Sequence, residues 1–530
     1  MYQPLELHSI RARQEAGTVL TSRVERSGPS EPGTFVADYC SPVTQISSFD
    51  APTTSSLLLD TPSGLVKGVA RPDGTGAFLG LRYARADRFA PAIPEAPWDG
   101  ERDATRHGPI CPQAPGLLES TMGAALPPMD EDCLSLGVFV PPSTVGGMAT
   151  PRPVLVWIHG GAYVNGSGST PWYDGSSLAR RGDVVVVSIN YRLGVFGFFR
   201  DNNLGLLDQI EALRWVQKHI ASFGGDPSNV TIFGESAGGS SVVALMASPL
   251  SAGLFHKVWS MSPSIGQYRN AERGDELAAK FLQAAGVAHD DDLRALTSDQ
   301  LLAAQAAVVA ENGRAFDYFA PTWPGAGLPR EIVSAAADHP AHLVVGTTRD
   351  ENRLFGAFSP DAASMDDTKM RKFFSGMLPN RVDEAIELYR EHRPGETDAQ
   401  LVMAAQTDEG FRQRAIRLAE KRAKAGTPTH MYWFTWASPA FGGVLGSCHA
   451  IDIPFTFHNL DQPGVELFTG DGADRAVVAD QVAAQVLSFA TDGSVAWSPY
   501  DLESRRTWRF DVQCEEIADP EPRLRALWTA

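Results

Sequence analysis

The segment Val230-Thr231-Ile232-Phe233-Gly234-Glu235-Ser236-Ala237-Gly238-Gly239 constrains the fold of this 530-residue chain more than any other. A short apolar run leads into a Gly-x-Ser-x-Gly pentapeptide, and small and apolar residues continue from Ser240 to Ala247. A buried strand that turns straight into a helix must bring two stretches of backbone close together. Glycines two places before and two places after the serine leave room for that approach, and the serine at the tip is held in strained geometry with its hydroxyl projecting. A helix that begins there also offers N–H groups to a developing oxyanion. The pattern is that of a nucleophile elbow, with Ser236 as the candidate nucleophile.

A serine hydroxyl is a poor nucleophile at neutral pH, so it needs a base, and the base needs an acid to orient it. Most histidines after Ser236 have plain settings: His392 closes a polar helix, His339 and His342 flank a proline before a strand, and His430 begins a strand. His449 differs, because it lies in the small-residue loop Gly446-Ser447-Cys448-His449-Ala450 that follows the strand at Met431–Trp436. A base placed there hangs over the carboxyl edge of a sheet. Two adjacent carboxylates, Asp350 and Glu351, follow the strand Leu343–Val345, and periodicity does not choose between them. An oxyanion site is expected at an early strand–loop junction, and Ile158-His159-Gly160-Gly161-Ala162-Tyr163 supplies small residues there.

The middle of the chain alternates strands and helices. Val154–Ile158 and Val184–Ile189 are unbroken, mostly β-branched runs, as expected for strands covered on both faces. Leu206, Ile210, Leu213, Val216 and Ile220 recur at helical spacing between the second run and the elbow. Long helices are predicted over 409–425 and 474–489, and an Ala-rich helical insertion over 270–340. Strands alternating with helices predict a mostly parallel, doubly wound α/β sheet, preceded by a small antiparallel meander over 57–83. Residues 1–55, rich in Ser, Pro, Gly and charge, read as a partly flexible extension, and 56–530 as one domain.

A net charge of −18 argues against nucleic acid and anionic membrane surfaces as partners. No apolar run approaches the roughly 20 residues needed to span a bilayer, and the N-terminus lacks a basic start and an apolar signal core. The expected location is therefore cytoplasmic. Five cysteines without a C-x-x-C pair do not form a disulfide scaffold, and no cluster of His, Cys and carboxylates has metal-ligand spacing.

From about residue 62 onward the chain resembles the type-B carboxylesterase/cholinesterase family of α/β hydrolases. Phe223 to Gly238 matches the family's serine signature, and Glu131-Asp132-Cys133-Leu134 its second signature. Asn190-Tyr191-Arg192-Leu193-Gly194, Gly205-Leu206-Leu207-Asp208-Gln209 and Cys448 to Phe455 match further blocks. The resemblance implies an α/β-hydrolase fold with helical insertions over the active site. It assigns the nucleophile to Ser236, the acid to Glu351 and the base to His449, and the oxyanion donors to Gly161, Ala162 and Ala237. It further implies a disulfide between Cys111 and Cys133, in tension with a reducing cytoplasm. Ser135 and Gly137 depart from the usual tyrosine and asparagine. The stretch between Cys111 and Cys133 contains no aromatic residue to hold a quaternary ammonium, which argues against a choline ester.

The implied activity is hydrolysis of small hydrophobic carboxylic esters through an acyl-enzyme, without a cofactor. An amide or carbamate hydrolase using the same three residues is the alternative, and a non-catalytic cholinesterase-like binding protein a remote one. Phe316, Phe319, Trp323, Leu354, Phe355 and Phe358 are candidate substrate walls. Oligomeric state is not legible in the sequence.

Overall fold

The computed structural model describes residues 56–116, 127–145, 150–312 and 318–529. The N-terminal extension and Phe316 therefore lie outside the described residues. The meander is present as β1 (Ser56–Thr61), β2 (Gly64–Ala70) and β3 (Gly76–Arg82), each antiparallel to the next. A short β4 (Glu101–Asp103) pairs with β2, and β5 (Ser135–Val140) runs antiparallel to β3.

The core of the sheet is built from β6 (Arg152–Ile158), β7 (Val185–Ile189), β8 (Gly225–Glu235), β9 (Lys257–Met261), β10 (His342–Thr348), β11 (Thr429–Phe434) and β12 (Thr507–Phe510). These are mutually parallel, and β13 (Glu515–Ile517) closes the edge antiparallel to β12. In space the order is β1-β2-β3-β5-β7-β6-β8-β9-β10-β11-β12-β13. After β6 the chain first adds β7 on one side and then β8 on the other. The carboxyl ends of β6 and β8 therefore flank a topological switch point, where the loops diverge and leave a crevice for a ligand.

Alternation along the central strands explains their unbroken apolar runs. Val154, Val156 and Ile158 join the core on one face, together with Val185, Val187, Ile189, Val230 and Ile232. Leu155 and Trp157 join the core on the other face, with Val184, Val186, Phe233, Trp259 and Met261. Both faces are covered by helices, so neither set of side chains meets water. Each such aliphatic side chain contributes about 1.5–3 kcal/mol by its burial.

The helix predicted over 409–425 departs from its expected form. A π-helical turn, Asp408–Arg412, joins the helix Asp398–Thr407 to the helix Gln413–Ala425. A π-turn inserts a residue and rotates the helical phase, which no apolar periodicity announces. Of the helices predicted between 270 and 340, Ile332–Ala337 packs against Ala237–Ala247, the helix that follows Ser236. A third apolar cluster, including Met370, Phe374, Tyr389 and Leu401, gathers satellite helices around the C-terminal Leu524, Leu527 and Trp528. Among the described residues no helix is long and apolar enough to cross a membrane.

Candidate active site

Ser236 stands at the end of β8 with φ 58° and ψ −120°, left-handed backbone that an L-residue adopts only under strain. Such a residue costs on the order of 1–3 kcal/mol and needs its surroundings to hold it. Here Ser236 N donates to Met261 O at 3.0 Å, and Ser240 N donates back to Ser236 O at 2.8 Å. The two glycines of the pentapeptide are required by close approach. A Cβ on Gly234 would lie 2.6 Å from Gly238 C, and one on Gly238 would lie 2.0 Å from Ile158 O.

The expected oxyanion loop leaves β6 beside this turn. Gly161, Ala162 and Tyr163 follow one another with φ of 103°, 53° and 63°. The Gly161 carbonyl turns inward to accept from Val164 N and Asn165 N, both at 3.0 Å. Among the described residues no hydrogen bond uses the N–H groups of Gly161, Ala162 or Ala237. Ala237 opens its helix, so its N–H is one of those a helix cannot satisfy internally. Gly160 ties loop and elbow together, since a Cβ there would touch Ser236 Cβ and Glu235 Oε2, each at 3.1 Å.

The expected acid and base, Glu351 and His449, follow β10 and β11. Glu351, fully buried just beyond β10, places Oε2 2.6 Å from His449 Nδ1, and its Oε1 accepts from Thr348 N at 2.8 Å. The backbone repeats the association, with His449 N donating to Glu351 O at 3.2 Å. Asp350 is taken up elsewhere: its Oδ1 accepts from Arg393 Nη1 at 2.9 Å. Periodicity left the two carboxylates equivalent, and the guanidinium separates them.

One carboxylate at the site, Glu235 of the Gly-x-Ser-x-Gly pentapeptide, was not among the expected site residues. Glu235 Oε1 lies 3.0 Å from His449 Nε2, yet it counts among the buried oxygens without a hydrogen-bond partner. The contact is electrostatic, off the N–H direction of the ring. Burial pushes Glu235 up to about 8, with the His449 charge opposing. For His449, burial works against the imidazolium, but Glu235 and Glu351 outweigh it and lift the ring to about 9. Burial, aided by Glu351, likewise raises Asp452 to about 7, and Tyr432 Oη donates to its Oδ2 at 3.2 Å. An acidic residue at the buried end of a strand was the available signal for Glu235.

Two aromatic rings flank His449. The Phe355 centroid lies 5.2 Å and the Phe411 centroid 4.9 Å from the imidazole. Phe355 was among the expected wall residues. Phe411 was not, because it sits in the π-turn. The other expected walls within the described residues are placed differently: Phe319 is buried against Phe281, Trp323 packs on the first core face, and Leu354 and Phe358 pack on the second. The implied Cys111–Cys133 disulfide is not formed in this structure: both are buried free thiols, hydrogen-bonded to each other. The hydrogen bond to Cys111 and burial hold the Cys133 thiol well above its usual range, and Leu193 N donates to Cys111 Sγ at 3.3 Å.

A strained serine at the switch point of a doubly wound sheet, with a buried acid–histidine pair on later strands, defines an α/β-hydrolase fold equipped for acyl transfer. The Carboxylesterase family model matches residues 55–518, and the chain belongs to that family. A para-nitrobenzyl esterase of Bacillus subtilis is 36% identical over 502 residues, covering 88% of this chain and 97% of that protein. A phenmedipham hydrolase of Pseudarthrobacter oxydans is 37% identical over 422 residues, covering 77% and 84%. The crystal structure of a Geobacillus stearothermophilus carboxylesterase superposes with a TM-score of 0.78 at 34% identity, covering 89% of this chain and all of that one, 100%. The protein is a carboxylesterase and hydrolyses carboxylic esters.

Proposed function

We propose that Ser236, His449 and Glu351 carry out this hydrolysis in two acyl-transfer steps. His449 Nε2 takes the Ser236 proton as Oγ bonds to the ester carbonyl carbon. The carbonyl oxygen becomes an oxyanion held by the N–H groups of Gly161, Ala162 and Ala237. The tetrahedral intermediate collapses, the ester C–O bond breaks, and the alcohol departs with the proton from His449. Water then repeats the sequence on the acyl-enzyme, losing its proton to His449, and Ser236 leaves as the carboxylic acid is released. Glu351 keeps the proton on Nδ1 and stabilises the imidazolium. Glu235 lies off the axis of Nε2, so that nitrogen keeps a direction in which to meet Ser236 Oγ.

The observation that carries this reading is the convergence of a strained Ser236, unbonded N–H groups and the 2.6 Å His449–Glu351 contact at one sheet edge. The Phe355 and Phe411 rings beside His449 support small to medium hydrophobic esters as substrates. A net charge of −18 supports a small-molecule rather than a polyanionic partner. The test is Ser236→Ala, assayed on p-nitrophenyl esters of increasing chain length. Loss of kcat by about a millionfold is expected, together with loss of labelling by an organophosphate. Turnover at the parent rate in a folded Ser236→Ala variant would refute the assignment.

A further inference from the structure

Asp350, the carboxylate passed over beside Glu351, is built into the histidine loop from a second direction. Asp350 N donates to Ser447 O at 2.8 Å, and Ser447 N donates to Asp350 Oδ2 at 3.0 Å. With His449 N on Glu351 O at 3.2 Å and His449 Nδ1 on Glu351 Oε2 at 2.6 Å, four hydrogen bonds join residues 350–351 to residues 447–449. The segment bearing the acid and the segment bearing the base are thereby laced together.

The lacing depends on the orientation of one carboxylate, and that orientation is held. Asp350 Oδ1 takes the Arg393 Nη1 hydrogen bond at 2.9 Å, in a pair whose side chains are only 5% and 3% exposed. Arg353 Nε stands 3.7 Å from the same oxygen, and Arg353 Nη2 reaches Glu396 Oε1 at 2.7 Å. Arg393 ends the satellite helix Val382–His392, outside the central sheet. Both arginines face Oδ1, so ion pairing does not occupy the other oxygen of Asp350. The second oxygen of Asp350 is instead given to the loop backbone two residues before His449.

We propose that Asp350, oriented by Arg393, is a positioning residue: it fixes the 446–449 loop so that the imidazole stays in register with Glu351. This rests on the reading that His449 and Glu351 act in the hydrolysis. Asp350 touches neither substrate nor reacting atoms and acts through the loop alone.

The test compares Asp350→Ala, Arg393→Met and their double variant with Tyr389→Phe. Tyr389 packs in the same satellite cluster and bonds Asp408 and Trp528, away from the loop. Asp350→Ala and Arg393→Met should each lower kcat by about a hundredfold, as a small misplacement of a base does, with KM nearly unchanged. The double variant should lose little more, because both changes release one clamp. The downfield proton resonance of His449 Nδ1–H should weaken in both single variants. Tyr389→Phe should lower Tm while leaving kcat and that resonance intact. Arg393→Lys, which keeps the charge, should recover part of the rate, and it stands in if Asp350→Ala does not fold. Parent kcat and an intact resonance in folded Asp350→Ala or Arg393→Met would overturn the proposal, as would an equal loss of kcat in Tyr389→Phe. Activity persisting in Ser236→Ala would overturn the catalytic reading instead, so the two failures are distinguishable.

Discussion

His449 Nδ1 lies 2.6 Å from Glu351 Oε2, in a pocket where neither side chain is more than 5% exposed. A contact this short between a carboxylate and a ring nitrogen sets the tautomer, leaving Nε2 free of its proton when the ring is neutral. Glu351→Gln replaces the acceptor with an amide that can present N–H, which favours the wrong tautomer. The expected result is a fall in kcat of about ten-thousandfold with KM little changed, measured on a p-nitrophenyl ester. Glu351→Gln at parent kcat would remove Glu351 from the mechanism.

Glu235 has the opposite effect on His449, the base of the proposed mechanism. Its carboxylate stabilises the imidazolium and helps lift His449 to about 9, so it opposes the neutral ring that catalysis requires. Glu235→Gln removes that charge, and the acid limb of the kcat/KM profile should move to lower pH. The sign for stability is equally defined. Glu235 keeps its proton in the fold from its ordinary 4.5 up to about 8, and His449 from 6.5 up to about 9. In those windows the folded state binds more protons than the unfolded chain, so their contribution to stability is lost as pH rises. Thermal denaturation of Glu235→Gln between pH 6.5 and 9 should show a flatter decline in Tm than the parent. An unmoved acid limb together with an unchanged slope would dismiss Glu235 as a determinant of either.

Phe411 covers His449 from the π-turn Asp408–Arg412. Phe411→Ala opens space beside the base without touching Ser236, Glu351 or the oxyanion loop. The ratio of kcat/KM for long over short acyl p-nitrophenyl esters should rise by up to about tenfold, in keeping with the modest discrimination apolar pockets provide. If the whole chain-length series kept its parent ratios, Phe411 would be packing alone.

Arg192 and Asp208 join two of the sequence blocks that carry the family resemblance. Arg192 Nε and Nη2 each donate to the Asp208 carboxylate at 2.7 Å, and both side chains are buried. Arg192→Met leaves Asp208 buried and uncompensated, which should cost about 3–5 kcal/mol. Chemical denaturation with an unchanged m-value checks this. A loss under about 1 kcal/mol would mean that water or a neighbour compensates the carboxylate.

Much of this enzyme is legible in the chain because its central constraints are local. Unbroken runs such as Val184–Ile189 can only be strands buried on both faces, and alternating strand and helix then leave few topologies. The elbow reads from spacing alone, since Gly234 and Gly238 answer a backbone contact between residues close in sequence. The candidate oxyanion loop at Gly161–Ala162 and His449 are marked by their places after strands. Asp350 and Glu351 differ only in where they point. Their segment meets the 446–449 loop and Arg393 through contacts 98 and 43 positions apart in sequence. The choice is consequently invisible to periodicity, although family resemblance named Glu351.

Local pattern was enough for the doubly wound sheet and for a serine held at a tight strand–helix turn, because strand burial and such a turn impose spacing on neighbouring residues. The surroundings of the imidazole came from the folded chain: Glu351 on one nitrogen, Glu235 near the other, Phe411 beside the ring, and Asp350 bonded to the loop backbone. Those relations depend on where separate strands end and on the phase of a π-turn, and charge in a dry pocket acts through distance in space rather than position along the chain.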